Sequence, residues 1–172
     1  YGELIDSVRS ILRESAIRGG GIVVETRADE FFAVFTEPGA ALDAAIAIQR
    51  DLRARSWDGG LTVRVRIGIH SGEPTVTDAN YIGMDVHAAA RICAAAHGGQ
   101  VALSQTTRDL VSADARDLRE HRLKDLTQPQ RPHQLGAPGI ETRVPALRPV
   151  QTRPTHLPSQ TQPLSARTRT RE

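Results

Sequence analysis

The stretch GIVVETRADEFFAVF, residues 21–35, decides the fold because it holds two apolar runs around a short polar segment. Both runs are rich in β-branched or aromatic residues, which favour strands. Asp29 and Glu30 lie between the runs, where a tight turn prefers polar residues. The stretch therefore predicts a β-hairpin with an acidic tip. Two roles for that tip stay open here: an ordinary polar turn, or a carboxylate ligand for a divalent metal.

Outside the hairpin, four segments have apolar residues three or four positions apart, which is the spacing of an amphipathic helix. These predicted helices are residues 3–18, 37–55, 86–97 and 104–113. Pro38 falls near the start of the second helix, where proline is favoured. Ser104 is the expected N-cap of the fourth helix.

Three other segments predict strands. Residues 61–73 alternate apolar and polar side chains, 100–104 form a short apolar run, and 121–126 predict a last strand or turn. Helices that alternate with strands, together with one antiparallel hairpin, predict an α+β fold. We expect an antiparallel-rich sheet covered by helices on one face.

The composition excludes several classes of protein. The 172 residues include 22 basic and 20 acidic ones, so the formal net charge of +2 predicts neither a nucleic-acid nor a membrane partner. Cys93 is the single cysteine, which rules out an intramolecular disulfide and a cysteine zinc cluster. No apolar run approaches the roughly 20 residues of a membrane span, and no signal peptide is evident. The sequence therefore predicts a soluble cytoplasmic protein.

The composition changes after residue 127. Most of the prolines lie in residues 128–172, and arginine supplies nearly all the charge near the end. Such a segment buries too little apolar surface to offset its ordering entropy. We therefore expect a domain over residues 1–127 and a Pro/Arg-rich linker or disordered tail over 128–172. The alternative is an extended arm docked on the domain, with VPALRPV, residues 144–150, as its best candidate.

Three motifs follow one another in a fixed order: ADEFFAVF (28–35), VRIGIHSGE (65–73) and NYIGMDVHAAARI (80–92). In this order they resemble the class III nucleotide cyclases, the adenylate and guanylate cyclase family. The resemblance covers about residues 3–127 and implies the ferredoxin-like cyclase fold. The GGDEF hairpin of diguanylate cyclases is a rival, but that hairpin begins with two glycines where this chain has Arg27 and Ala28. Diguanylate cyclases also lack the second and third motifs, so the class III interpretation is preferred.

Residues 120–158 add a narrower resemblance, to the segment after the cyclase domain in actinobacterial LuxR-type ATPase regulators. That resemblance implies that the chain stops where an ATPase module begins. The family's first strand, of the form F-T-D-I, would lie before Tyr1. We therefore expect an N-terminally truncated domain that lacks its first strand. Because this strand is central in the family's sheet, its absence would leave unpaired backbone groups beside a buried face.

The resemblance also implies a reaction, in which the ribose 3′-hydroxyl of ATP attacks the α-phosphate and expels pyrophosphate. In the family, two aspartates of one subunit hold two metal ions, and an arginine and an asparagine come from the other subunit. Mg²⁺ or Mn²⁺ is thus the implied cofactor. ATP is expected over GTP as substrate, and the partner is a second copy of the chain or a complete cyclase domain.

Matched motif by motif, five residues take the family's site positions. Asp29 corresponds to the second metal aspartate, Arg91 to the arginine that stabilises the phosphate, and His87 to the ribose-positioning asparagine. Glu25 takes the place of the lysine that reads the purine, and Asn80 takes the place of the lysine's partner.

The chain departs from the family pattern at several of these positions. A carboxylate at Glu25 cannot donate a hydrogen bond as lysine does, and the first metal aspartate has no counterpart. Ala28 replaces a glycine and would strain the turn if that position needs a positive φ. Two functions therefore stay open. One is a weak or conditional adenylate cyclase. The other is an inactive cyclase-homology module for dimerisation, nucleotide sensing or transcriptional regulation.

Overall fold

The computed structural model describes residues 1–27, 29–78 and 80–148. Within these ranges, no helix is long and apolar enough to cross a membrane. Ala28, where the sequence predicts strain, lies outside the described residues. In chain order the elements are α1 Gly2–Arg18, β1 Ile22–Arg27, β2 Glu30–Val34, α2 Pro38–Ala54, a 3₁₀ turn Asp58–Gly60, β3 Ile67–Ile69, β4 Thr75–Val76, β5 Tyr81–Ile82, α3 Met84–Ala95, β6 Val101–Leu103, α4 Gln105–Leu110, β7 Ala115–Asp117 and β8 His133–Leu135.

The predicted hairpin is confirmed. β1 pairs with β2 in antiparallel register from Ile22 opposite Val34 to Arg27 opposite Glu30. An irregularity between Val23 and Glu25 leaves Val24 without an opposite residue, as in a β-bulge. Asp29 directly precedes β2, so it lies at the tip of the hairpin as the sequence predicted.

The four predicted helices are also confirmed. α1 packs against α2 and β1, and α2 begins with Pro38 in its first turn. Ser104 caps α4, since its Oγ accepts a hydrogen bond of 3.1 Å from the Thr107 backbone N–H. The connection from α1 to β1 needs Gly21, because a Cβ there would lie 2.6 Å from the Phe35 ring.

The main sheet has four strands in the order β3-β6-β8-β7. β3 and β6 are parallel, while β6–β8 and β8–β7 are antiparallel. The two inner strands, β6 and β8, are buried along their whole length. The expected α+β, antiparallel-rich class is therefore confirmed.

Alternate residues of this sheet pack toward two different helices. Val101 and Leu103 belong to a core cluster with Leu42 and Ala45 of α2. Ala102, between them in the strand, belongs to a second cluster with α3 residues. Because successive strand residues point to opposite faces, α2 and α3 cover the two faces of this sheet, whereas the sequence predicted helices on one face.

Small residues allow α3 to approach the second face of the sheet. Gly68 in β3 has no room for a side chain, because a Cβ there would lie 2.4 Å from the backbone nitrogen of Cys93 in α3. Across the sheet, Ala102 occupies the corresponding position in β6 and is fully buried. The close packing of α3 on β3 thus depends on these two small residues, and it fixes the helix that carries His87 and Arg91.

The long strand predicted over residues 61–73 is wrong in its extent. Only Ile67–Ile69 form β3, and Leu61 is 56% exposed. β6 begins at Val101, so before Ile67 the chain lies beside the loop preceding β6 rather than beside a strand. Single hydrogen bonds from Gln49 Nε2 and the Gly99 N–H to the Val65 carbonyl take the place of a ladder. The alternation of apolar and polar residues therefore predicted the strand at Ile67–Ile69, but not how few residues of the segment have a neighbouring strand to pair with.

The domain boundary predicted at residue 127 is also wrong. Residues 133–135 form β8, an inner strand, and Leu135 is 1% exposed. The alternative of a docked arm is supported as far as Arg148. Leu147 is buried beside α3 residues, and the Arg148 N–H donates to the Ala95 carbonyl at 3.0 Å. The remainder of the predicted tail lies outside the described residues.

The hairpin and the four-stranded sheet form no ladder with each other in the described part of the chain. β2 pairs with β1 alone, and β3 lies at the end of its sheet. The helices connect the two parts, because α2 contacts both α1 and β3.

Candidate functional site

The α3 side of the candidate site is built by a short arm and the helix that follows it. β4 and β5 pair in antiparallel register, Thr75 opposite Ile82 and Val76 opposite Tyr81. Gly83 then takes a φ of +126°, a backbone region in which non-glycine residues are strained, and α3 begins at the next residue. His87 and Arg91 lie four residues apart on α3, which is about one helical turn.

Arg91 is partly buried and has an acidic partner. Its Nη2 donates a hydrogen bond of 2.5 Å to Oδ2 of Asp125, and its side chain is 31% exposed. The Nε of the same guanidinium is buried and has no hydrogen-bond partner among the described residues. The sequence did not predict the contact with Asp125. Residues 121–126 were predicted as a strand or turn, and their pattern does not indicate which residue of α3 they contact.

The other α3 residue of the predicted site, His87, is exposed. Its backbone N–H continues the helix by bonding to the Gly83 carbonyl at 3.3 Å. The imidazole therefore lies at the surface, one turn before Arg91. A group in this position is accessible to a ligand that also contacts Arg91.

Asn80 is held within the β4–β5 turn. Its Oδ1 accepts the Tyr81 N–H at 2.8 Å, and its backbone N–H donates to Thr77 Oγ1 at 3.0 Å. The Asn80 carbonyl accepts from the Thr77 N–H at 2.8 Å. These bonds use the acceptor of the side chain locally, so the amide –NH₂ is the part of Asn80 suited to contact a base.

The hairpin side of the candidate site is more open. Asp29 is exposed at the tip, and Glu25 is partly exposed in β1. Glu25 Oε1 lies 2.6 Å from Nε of Arg27, two positions along the strand on the same face. The carboxylate in the lysine's place is thus paired with a cation of its own strand. As a carboxylate, Glu25 has no hydrogen-bond donor to offer a purine.

A histidine–carboxylate pair connects β3 to α3. His70 Nε2 donates to Asp85 Oδ1 at 2.8 Å, and the His70 side chain is only 10% exposed. Asp85 Oδ2 accepts the Glu73 N–H at 2.9 Å. His70 is mostly buried just after β3, and the sequence did not predict its bond to Asp85 because the motifs show no spacing that links the two residues.

The environment of Asp85 favours its charged form. The hydrogen bond from His70 lowers the pKa of Asp85 below its ordinary value of 3.8; burial opposes this effect, and the Glu73 N–H adds to it. Gly72 is pressed against the carboxylate, since a Cβ on Gly72 would lie 2.2 Å from Asp85 Cγ. The first turn of α3 is therefore fixed to the end of β3.

The structure does not join the five predicted site residues to one another. In residues 1–27, 29–78 and 80–148, no hydrogen bond or ion pair links any two of Glu25, Asp29, Asn80, His87 and Arg91. A cavity of about 150 Å³ lies elsewhere, between the end of α2 and residues 139–141, and none of the five lines it.

A preassembled metal site is likewise absent from the described residues, where no three His, Cys, Asp or Glu side chains cluster. Mg²⁺ in proteins is typically bound by one or two carboxylates together with substrate phosphates. Asp29 can supply one such carboxylate. Of the two metal aspartates that the resemblance implies, the described residues include one candidate, Asp29.

Comparison with known proteins gives relatives of two kinds. No protein-family model matches the sequence. The chain is 38% identical over 156 residues to an uncharacterized protein of Mycobacterium tuberculosis and to its counterpart in Mycobacterium bovis, covering 86% of this chain and 52% of each relative. The chain thus spans about half the length of these curated relatives. It is also 30% identical over 125 residues to an adenylate cyclase of Lachancea kluyveri, of which it covers 7%.

Solved structures with a similar fold are nucleotide cyclases. A Trypanosoma brucei adenylate cyclase in its monomeric state matches with a TM-score of 0.78 at 21% identity, covering 87% of this chain and 85% of that one. An adenylate/guanylate cyclase/hydrolase from Silicibacter pomeroyi matches with a TM-score of 0.66 at 29% identity, covering 76% and 80%.

A guanylate cyclase domain from Catenaria anguillulae, solved in complex with GTP, matches with a TM-score of 0.68 at 20% identity, covering 77% and 81%. All three likenesses extend over more than three quarters of the chain. The described chain therefore has the fold of adenylate and guanylate cyclase catalytic domains.

Proposed function

We propose that this chain is a class III nucleotide-cyclase-like domain that binds the phosphates of ATP through Arg91 at a dimer interface. Its conversion of ATP to cyclic AMP and pyrophosphate is weak or conditional. The observation that carries the proposal is the position of Arg91 in a cyclase fold. Helix α3 holds it partly buried, one turn after the exposed His87.

The proposed chemistry follows from what each side chain offers. The Arg91 guanidinium donates charge-assisted hydrogen bonds to phosphate oxygens and stabilises the negative charge of the transferring phosphoryl group. His87 donates a hydrogen bond to the ribose, and the Asn80 amide group contacts the base. Asp29 is the one carboxylate of this chain that we propose as a Mg²⁺ or Mn²⁺ ligand, together with nucleotide phosphates.

The incomplete carboxylate set is the reason for calling the activity conditional. Of the two metal aspartates in the family pattern, the described residues offer one counterpart, Asp29. A complete cyclase domain that pairs with this chain would supply both aspartates from its own subunit.

Cyclic nucleotide formation by the purified chain tests the proposal. The assay uses Mn²⁺ with ATP and then with GTP, for the wild type, Arg91→Ala and Arg13→Ala. Loss of an electrostatic contact to the transition state typically lowers turnover about 10²- to 10³-fold, so Arg91→Ala should abolish the product. Arg13, an exposed arginine of α1, is the matched control and should leave the rate unchanged. Equal product from wild type and Arg91→Ala would contradict the proposal.

A second candidate function is an inactive cyclase-homology module that dimerises or senses nucleotide. The pairing of Glu25 with Arg27 and of Arg91 with Asp125 favours this candidate, because two predicted substrate contacts are engaged within the chain. This candidate predicts no cyclic nucleotide above the amount in a blank that contains metal without protein, whether or not the chain binds ATP. A mixing experiment separates the two candidates. The chain is mixed with a complete cyclase domain whose own phosphate-binding arginine has been removed. Restored activity would mean that this chain supplies Arg91 to the partner's site, whereas a non-catalytic module would restore none.

A further inference from the structure

The contact between Arg91 and Asp125 joins two parts of the chain that are far apart in sequence. Asp125 lies in a turn closed by a 3.3 Å hydrogen bond from the Leu126 N–H to the Leu123 carbonyl. Leu123 is 5% exposed and packs with Ile92 and Ala95 of α3. The buried leucine therefore anchors the turn on α3 and holds Asp125 over Arg91.

The backbone at Asp125 is unusual. Its φ is +60°, in the left-handed region that few non-glycine residues adopt. Aspartate and asparagine tolerate this region better than other side chains. The turn thus presents a carboxylate at a position where the backbone favours a very small set of residues.

Asp125 uses only part of the Arg91 guanidinium. Nη2 is engaged by Oδ2, whereas Nε, on the same edge of the planar group, is buried without a hydrogen-bond partner among the described residues. An oxyanion placed on this edge can accept from both nitrogens at once, the geometry in which arginine binds carboxylate and phosphate most strongly. The edge is therefore only half satisfied by its present partner.

We infer that Asp125 is a built-in competitor for the phosphate group at Arg91, so that this carboxylate sets the affinity of the site for nucleotide. The inference rests on the proposed function, in which Arg91 binds phosphate. Asp125 neutralises the guanidinium and repels an approaching phosphate. The Asp125 side chain is 56% exposed, so solvent screens its charge and weakens its attraction to the partly buried Arg91. A phosphate that engages both Nε and Nη2 displaces it.

Nucleotide binding by the full chain tests the inference. Asp125→Asn removes the charge, keeps the size of the side chain and tolerates the same φ. We expect this variant to bind ATP about three- to tenfold more tightly than wild type, because the competing charge is gone. Tripolyphosphate, used as a second probe, should show the same gain. Asp43→Asn, on the exposed face of α2, controls for the change in net charge and should not alter the affinity.

The double variant Arg91→Ala, Asp125→Asn links the gain to Arg91, and there the improvement should disappear. Thermal melting of each variant confirms that it is folded before titration. Measurable binding that is unchanged or weaker in Asp125→Asn overturns this inference and leaves the proposed function standing. No binding of either probe to wild type or to Asp125→Asn overturns both.

Discussion

The two halves of the candidate site differ in how firmly the fold holds them. On the α3 side, β6 and β8 are buried along their whole length, and α3 packs so closely that Gly68 has no room for a Cβ. On the hairpin side, no described residue of β1 or β2 is fully buried, and Asp29 is exposed at the tip.

For the proposed phosphoryl-transfer site, the difference indicates which part this chain can preorganise by itself. Catalysis depends on groups that are already held in place before the substrate arrives. Arg91 satisfies this condition through α3, while the hairpin carboxylate has no fixed partner in the described residues. In the proposed site, Arg91 is therefore held in place by the fold, whereas Asp29 is exposed and is not held by a described partner.

The largest expected effect is on stability, and it contrasts the two regions directly. Leu135→Ala in β8 should lower the free energy of unfolding by about 2–5 kcal/mol, because it leaves a cavity at a residue that is 1% exposed. Ile22→Ala in β1 removes a side chain that is 59% exposed, so the loss should stay below about 1 kcal/mol.

Urea denaturation of both variants, followed by circular dichroism, measures these losses. The slope of the unfolding free energy against urea should match the wild type, so that the shift in midpoint reports stability alone. Similar losses for the two variants would mean that the hairpin is as tightly packed as the main sheet, and the comparison would fail.

An intermediate effect is expected at the connection between β3 and α3. Asp85→Asn weakens the hydrogen bonds that His70 and Glu73 donate, at a carboxylate that is 38% exposed. We expect a loss of about 1 kcal/mol at neutral pH, the size typical of one partly exposed hydrogen bond.

The effect of Asp85→Asn should also depend on pH. Because the pKa of Asp85 is lower in the folded state than its ordinary 3.8, its contribution to stability is present above that value and is lost as the pH falls below it. Unfolding free energies measured from pH 6 down to pH 3 should therefore differ less between wild type and Asp85→Asn at the acidic end. A constant difference over this range would show that the ionisation of Asp85 plays no part.

The smallest expected effect is at the hairpin tip. Asp29→Asn should change the free energy of unfolding by less than about 0.5 kcal/mol, since exposed side chains outside special structural features contribute little. Thermal melting checks this value. A marked stabilisation of the wild type, but not of Asp29→Asn, by added Mn²⁺ would show that the hairpin side binds metal more firmly than its exposure suggests.

Local patterns predicted most of the individual elements. The hairpin, the four helices and the Ser104 cap follow from side-chain periodicity and capping chemistry, both of which act over a few residues. The placement of Asp29 at the tip and of His87 and Arg91 on one helix follows in the same way. β7, β8 and the short β4–β5 arm were missed, because two- or three-residue strands carry too little alternation to detect.

The remaining strands were not predicted correctly because they depend on pairing between residues far apart in the sequence. The strand predicted over residues 61–73 shortened to Ile67–Ile69 because no neighbouring strand extends alongside its first half. Residues 133–135, in a proline-rich segment, became an inner strand because β6 and β7 flank them on both sides. A strand forms hydrogen bonds only with a neighbouring strand, and the local sequence pattern does not indicate whether such a strand is present.

The sequence by itself therefore determined the helices and the acidic hairpin tip, since these depend on neighbours within a turn or a strand. Only the tertiary structure decided which charges meet. Asp125 reaches Arg91, and Asp85 reaches His70, because Leu123 is buried against α3 and because Gly68 lets α3 lie close to β3. Contacts between residues distant in the chain arise from packing, which the order of residue types does not express.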